Sequence, residues 1–417
     1  MSNTAWLRSN WLLLAIIAFG LFLRLVWVND MEWKDDEKYM FNTTQEVAKT
    51  GHWHGVGMES GGGIVNPGLG MGIFSALSYL IHTPTGMASA VQWINVISIL
   101  CFLLFITIKI EKDQRDIWLW GLALAAVSPL AVLFSRKIWA QDMLPFFCFV
   151  IIWSNANRNK GWGAFLWGLF GALVGQIHMS GFFYAAGLFI FTVVYDYRNK
   201  QPFKWVYWIL GSLIGSIGLI PWVIYNFSYP QPTTLTWDHA LEFNSYICWF
   251  LDSHGLNTMY TLGRNFWDFI KYPYIGTHAT YLVAALNVVL AGAGIYTLVR
   301  VFGYVKSIVM WIKQKQFFDK LTLNLNSTDF YILSLILGLG ILLNFSGALI
   351  FAHYLIAAFP FTYILMAKIF QSNKKLLMGI ILAQLLLTTL FLGYIHKNSG
   401  APDGDYGVTY RAQIEAK

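Results

Sequence analysis

The chain has 417 residues, 57% hydrophobic and only 12% charged, with a mean hydropathy of +0.53. Soluble domains carry about 25% charged residues, so this composition excludes an ordinary water-soluble protein and marks an integral membrane one. The net charge of +7 comes from basic residues scattered among short loops, which excludes a nucleic-acid-binding face. Cys101, Cys148 and Cys248 have the spacing of neither a disulfide framework nor a zinc site.

The first apolar run, residues 11–28, is too long for a signal-peptide core, lacks a small-x-small cleavage pattern and contains Arg24. It reads as an uncleaved span. Directly after it comes Trp33-Lys34-Asp35-Asp36-Glu37-Lys38-Tyr39, an acidic loop at a membrane surface, where carboxylates are costly to leave unpartnered. Polar and aromatic segments follow, Thr50-Gly51-His52-Trp53-His54 and Asn66-Pro67-Gly68-Leu69. Further apolar runs lie near residues 88–108, 117–134, 142–155, 161–177, 180–196, 204–225, 280–301, 329–350, 352–369 and 375–394, giving an expectation of about eleven transmembrane helices.

Basic residues orient these runs. Arg8, the Lys109–Arg115 group, Arg158 with Lys160, the Arg198–Lys204 group, the Lys306–Lys320 group and Lys374 with Lys375 all belong in the cytoplasm by the positive-inside rule. A crossing at residues 64–81 would flip every later cluster, so that run reads as a helix lying on, or dipping into, the outer interface. The segment near Lys306–Lys315 reads as an amphipathic stretch on the inner leaflet. The fold class is therefore an all-α polytopic membrane protein with extracytoplasmic interfacial helices. Residues 1–395 form the transmembrane domain, with a first extracytoplasmic loop at 29–87 and a long one at 226–279; residues 396–417 form an extracytoplasmic tail. The 226–279 loop is aromatic-rich and too long for a connector, so it reads as interfacial helices covering a cleft.

The unusual polar residues thus collect on one side. Asp35, Asp36 and Glu37 read either as carboxylates facing water or as the source of a general base, partly desolvated over a membrane cavity. Adjacent like charges raise each other's pKa, which suits a base near neutral pH. The mid-span positions are almost free of charge, which disfavours the rival reading, a secondary transporter or lipid flippase. A non-catalytic subunit of an envelope complex is the third possibility.

Asp36-Glu37 after the first span, Gly51-His52-Trp53, the Asn66-Pro67-Gly68-Leu69 segment, Ser135-Arg136 with Asp142, and His353-Tyr354 followed by Pro360 together form a pattern. It resembles the polyprenyl-phosphate-sugar-dependent membrane glycosyltransferases of the GT-C fold, the group that includes protein O-mannosyltransferases and lipid A aminoarabinose transferases. The resemblance implies a polyprenyl-phosphate sugar donor from the bilayer, an extracytoplasmic acceptor and inversion at the anomeric carbon. It implies Asp36 as the catalytic carboxylate with Glu37 beside it, or Asp35 if the register shifts by one. Arg136 is then the candidate for the donor phosphate, by paired hydrogen bonds to its oxygens, unless it is an interfacial arginine reaching for headgroups. Asp142 would orient Arg136 or the acceptor, or cap the next span. His178 stands where relatives carry Lys or His near phosphate or metal, and His353-Tyr354 where they carry Arg or Lys before Tyr. No cofactor motif is present; a divalent metal held by Glu59 and His178 is a candidate arrangement. Where relatives have a basic residue before a Pro-Pro pair, this chain has Gly61-Gly62-Gly63-Ile64-Val65-Asn66-Pro67-Gly68, which lacks that lysine. In the tail, Asp403-Gly404-Asp405 reads as a flexible turn, and Tyr406, Gly407 and Tyr410 as residues able to fold back over the cleft.

Overall fold

The structure is a computed structural model and describes residues 3–53, 55–59, 64–230 and 235–416. His54 and Gly61-Gly62-Gly63 lie outside the described residues. Among the described residues, six helices are long and apolar enough to cross a membrane: Pro84–Lys109, Ser180–Arg198, Trp205–Ser228, Leu282–Lys313, Ser327–Ser346 and Lys374–Asn398. Ala352–Ala358 and Phe361–Ile369, bent by 77° about Pro360, add a seventh if the pair counts as one span. The protein is an all-α membrane protein, but the expected eleven is not the number of spanning helices. The runs at 11–28, 117–134, 142–155 and 161–177 form shorter helices, Trp11–Leu25, Arg115–Val127 with Pro129–Phe134, Leu144–Asn155 and Gly161–Ile177. A 12-residue helix is about 18 Å long, against a hydrocarbon core of about 30 Å.

Local chemistry sets the helix ends. Pro84 opens its helix while Thr83 Oγ1 accepts from the Gly86 N–H at 3.2 Å, and Asn373 and Asn326 cap their helices in the same way. Pro129 breaks the helix begun at Arg115, because it lacks an N–H to continue the ladder. Small residues let helices meet closely: a Cβ on Gly187 would lie 2.3 Å from the Gly338 backbone. Trp118 and Trp167 are fully buried between helices.

Three further expectations meet the structure here. Residues 64–81 hold a short strand, Val65–Pro67, and the ten-residue helix Leu69–Ser78, too short to cross, packed on the helix Asp35–Thr50. The segment 306–315 is not a separate interfacial helix, since up to Lys313 it is the end of the 32-residue helix Leu282–Lys313. The long 226–279 loop is built of the short helices Trp237–Leu241, Asn244–Ser253, Thr258–Leu262 and Phe266–Phe269.

Polar contacts gather at two ends. At one, Arg158 pairs with Asp196, Arg198 with Asp319, Lys368 with Asp329 and Lys374 with Asp116, while Ser327 Oγ donates to Glu111 at 2.7 Å. These are the basic clusters of the sequence, brought together. At the other end lie residues 30–37, 136–142, 178, 350–354 and 396–411, surrounding a cavity.

Candidate functional site

The cavity has a volume of about 560 Å³. Met40, Met71, Leu130, Leu133, Ile177 and Ile350 give it apolar walls, and Lys34, Asp36, Glu59, Lys137, His178 and Asp405 supply charged or titratable groups. Seven separated parts of the chain contribute to its lining.

The three consecutive acids do not lie in a loop. They form the first turn of the helix Asp35–Thr50, where carboxylates are favoured by the positive end of the helix dipole. That turn sends them in different directions. Asp35 is exposed and does not line the cavity. Glu37 is fully buried, and its Oε2 accepts from the Lys34 N–H at 3.3 Å, closing the helix start. Asp36 lines the cavity while remaining accessible through its mouth. Partial burial raises its carboxyl above the ordinary value, against the pull of Lys34 and Lys137.

Arg136 is not in the cavity. Its Nη1 donates to the carbonyls of Leu23 at 3.0 Å and Arg24 at 3.1 Å, and its Nη2 to Trp27 at 2.9 Å. It caps the C-terminus of Trp11–Leu25, where exposed carbonyls and the helix dipole favour a cation. Arg24 returns the favour by donating to Ala125 and Ala126 at the end of Arg115–Val127. Both guanidinium groups therefore direct their Nη atoms to backbone carbonyls.

The next residue, Lys137, does face the cavity. Its Nζ lies 2.7 Å from Glu32 Oε2, over the faces of Phe134 at 5.2 Å and Trp139 at 4.5 Å. Burial opposes the ammonium, but Glu32 and Glu37 outweigh it and raise the Lys137 pKa. Glu32 is itself pushed up to about 7, by burial working against Lys137. Sequence reasoning missed Lys137; the aromatics on either side, Phe134 and Trp139, are the only local signal of a cradled cation.

Asp142 neither orients Arg136 nor lines the cavity. It is fully buried, its carboxylate oxygens accept no hydrogen bond among the described residues, and its backbone carbonyl accepts from Asn95 at 2.8 Å. Burial raises it well above the usual carboxylate range.

His178 closes the helix Gly161–Ile177 and lines the cavity. Its Nδ1 is 2.9 Å from Ser180 Oγ, and its ring meets Tyr354 edge-on at 4.9 Å. Burial brings it down to about 4, so at neutral pH it is an uncharged imidazole able to exchange hydrogen bonds but not to pair with phosphate as a cation. His353 and Tyr354 line the same wall, with His353 stacked on Phe351. Glu59 also reaches the cavity, from the strand Val56–Glu59. Among the described residues no group of three or more His, Cys, Asp or Glu converges as a metal site.

The tail turns back onto residues 30–32. Tyr406 is buried and its hydroxyl donates to the Asp30 carbonyl, Arg411 Nε donates to Asp30 Oδ1 at 2.8 Å, and Thr409 bridges Glu32. Asp403-Gly404-Asp405 is accordingly a docked turn. Asp403 N–H donates to Asn265 Oδ1 at 2.8 Å, and Asp405 Oδ1 lies 2.8 Å from Lys34 Nζ inside the cavity lining. No protein-family model, curated protein or solved structure matches this chain, so the geometry of the cavity carries the functional reading.

Proposed function

We propose that the protein is a membrane glycosyltransferase of the GT-C type that moves a sugar from a polyprenyl-phosphate donor to an extracytoplasmic acceptor, with inversion. The observation that carries this reading is Asp36, an accessible carboxylate in the first turn of its helix, sharing an apolar-walled cavity with two lysines, Lys34 and Lys137. Apolar walls suit a prenyl chain, the lysines a phosphate, and the carboxylate a proton to be removed.

In this scheme the acceptor hydroxyl or amine attacks the anomeric carbon from the face opposite the phosphate. Asp36 takes the acceptor proton, the bond from that carbon to the phosphate oxygen breaks, and the electron pair leaves on polyprenyl phosphate. Lys137, held against Phe134 and Trp139, stabilises that charge, the role the sequence resemblance gave to Arg136. His178, uncharged, serves as a hydrogen-bonding partner to the donor rather than as a counter-ion. The short helices would complete the traverses between the ends, setting the cavity at the extracytoplasmic face. Glu59 and His178 would contribute two ligands to any divalent ion, with the donor phosphate needed to complete its shell.

The test is transfer by the full chain in nanodiscs from a panel of labelled polyprenyl-phosphate sugars, with envelope extract as the acceptor source. A labelled product dependent on the protein is expected. No product from any donor, with no donor binding, overturns the reading and favours a transporter.

A further inference from the structure

Lys34 and Lys137 face one cavity but are held differently. Lys137 pairs with Glu32 where both side chains are buried, 2% and 0% exposed. Lys34 pairs with Asp405, where the side chains are 29% and 41% exposed, and its Nζ also donates to the Asp405 carbonyl. Glu32 Oε2 lies 3.5 Å from Lys34 Nζ, so the charges alternate Asp405, Lys34, Glu32, Lys137 from the mouth inward. The buried pair is a fixed part of the fold, because separating it strands a charge away from water. The outer pair is screened by water, holds little free energy and is open to exchange.

The backbone that carries Asp405 is pinned. Gly400–Ala401 pairs with Gly407–Val408, Arg264 N–H donates to the Asp403 carbonyl at 3.3 Å, and Tyr406 N–H donates to the Thr261 carbonyl at 2.9 Å. The Gly404 position tolerates no side chain, since a Cβ there would meet the Leu262 carbonyl at 2.3 Å. Exchange at Lys34 therefore needs only a rotation of the Asp405 side chain.

We propose that Asp405 is a resident counter-ion of Lys34 that a phosphate-type anion displaces on binding. The carboxylate occupies one of the ammonium's three N–H donors when the cavity holds no anion, and returns to water when a phosphate oxygen takes its place. The C-terminal turn thereby sets how tightly the cavity holds an anionic headgroup. This deepens the reading above by naming a residue that tunes its phosphate site, and it needs only that the cavity binds a phosphate, not that a sugar is transferred.

The experiment measures binding of a long-chain polyprenyl phosphate, and separately of inorganic phosphate, to the full chain in nanodiscs. Wild type, Asp405→Asn, Lys34→Gln and the double variant are compared. Asp405→Asn is expected to tighten binding about two- to fivefold, the range into which an exposed pair's strength converts. The gain should vanish in the Lys34→Gln background, which a general change in folding would not produce. Tightening for the lipid phosphate alone identifies a lipid headgroup as the ligand, and equal tightening for both probes identifies free phosphate; either result supports the exchange. Unchanged or weaker binding by Asp405→Asn with unaltered thermal unfolding overturns it, as does a gain that persists without Lys34, or no phosphate binding by any variant. Phosphate binding that tightens in Asp405→Asn without sugar transfer sinks the transferase reading alone; transfer with no change in Asp405→Asn binding sinks this inference alone.

Discussion

At the basic end, Arg158 holds Asp196 through two hydrogen bonds of 2.8 and 2.7 Å, and Arg198, Lys368 and Lys374 each meet an aspartate from another helix. At the opposite end, Arg24 and Arg136 donate to helix carbonyls, while Lys34 and Lys137 are left beside a cavity together with Asp36, Glu59 and Asp405. Charge at the first end is matched across helices and tethers them. At the second, Glu32 holds Lys137 in a buried pair, while Asp36, Glu59 and Asp405 are exposed at the cavity. The difference separates residues that only hold the bundle together from residues that line a cavity, and it divides even neighbours in sequence, Arg136 from Lys137.

The sharpest way to break this comparison is Lys137→Gln. It leaves the buried Glu32 carboxylate with only the more distant Lys34, 3.5 Å away, and should cost about 3–5 kcal/mol, the usual penalty for removing one partner of a buried pair. Glu32 sits at about 7 in the folded protein against an ordinary 4.5, so the folded state binds its proton more tightly. Its contribution therefore favours the fold below pH 4.5 and is lost as the pH rises through about 7. Without Lys137 the carboxyl moves higher still. The deficit should then be larger at pH 8 than at pH 6, and Glu32→Gln in the same chain should restore most of it. Unfolding in detergent at the two pH values measures this.

Arg136→Gln comes next. It removes charged hydrogen bonds to three carbonyls and should destabilise by about 1.5–3 kcal/mol, with the affinity of the folded protein for polyprenyl phosphate unchanged. A selective loss of phosphate binding with unchanged thermal unfolding would return Arg136 to the role its motif suggested. Smallest is Lys374→Ala at the basic end, an exposed pair whose removal should cost about 1 kcal/mol or less and leave both donor binding and transfer as in wild type. An effect on binding there would erase the distinction between the ends.

Composition and hydropathy made the membrane class legible, and positive-inside charge grouped the basic clusters that the structure gathers at one end. The number of spanning helices was not legible, because Pro129 and Pro145 lie inside apolar runs and hydropathy does not register where a helix stops. Asp36 emerged as one of three acids, but only the helical turn of Asp35–Glu37 decides which of them reaches the cavity. Arg136 and Lys137 are adjacent cations in an irregular segment, and which one turns inward depends on the carbonyls of a helix more than a hundred residues earlier. Asp405 lies 371 residues from Lys34, a distance over which a single sequence carries no pairing signal.

The measurement that bears most directly on the account is transfer from a labelled polyprenyl-phosphate sugar by wild type and Asp36→Asn in nanodiscs, with donor binding followed in the same samples. The account predicts that Asp36→Asn binds donor as wild type does and transfers at least about 100-fold more slowly, as expected when a general base is removed. In wild type, transfer should fall as the pH drops through the raised value of Asp36, since the base must be ionised. Near-normal transfer by Asp36→Asn would contradict the assignment of the base, and a wild type that neither binds donor nor transfers sugar would contradict the account as a whole.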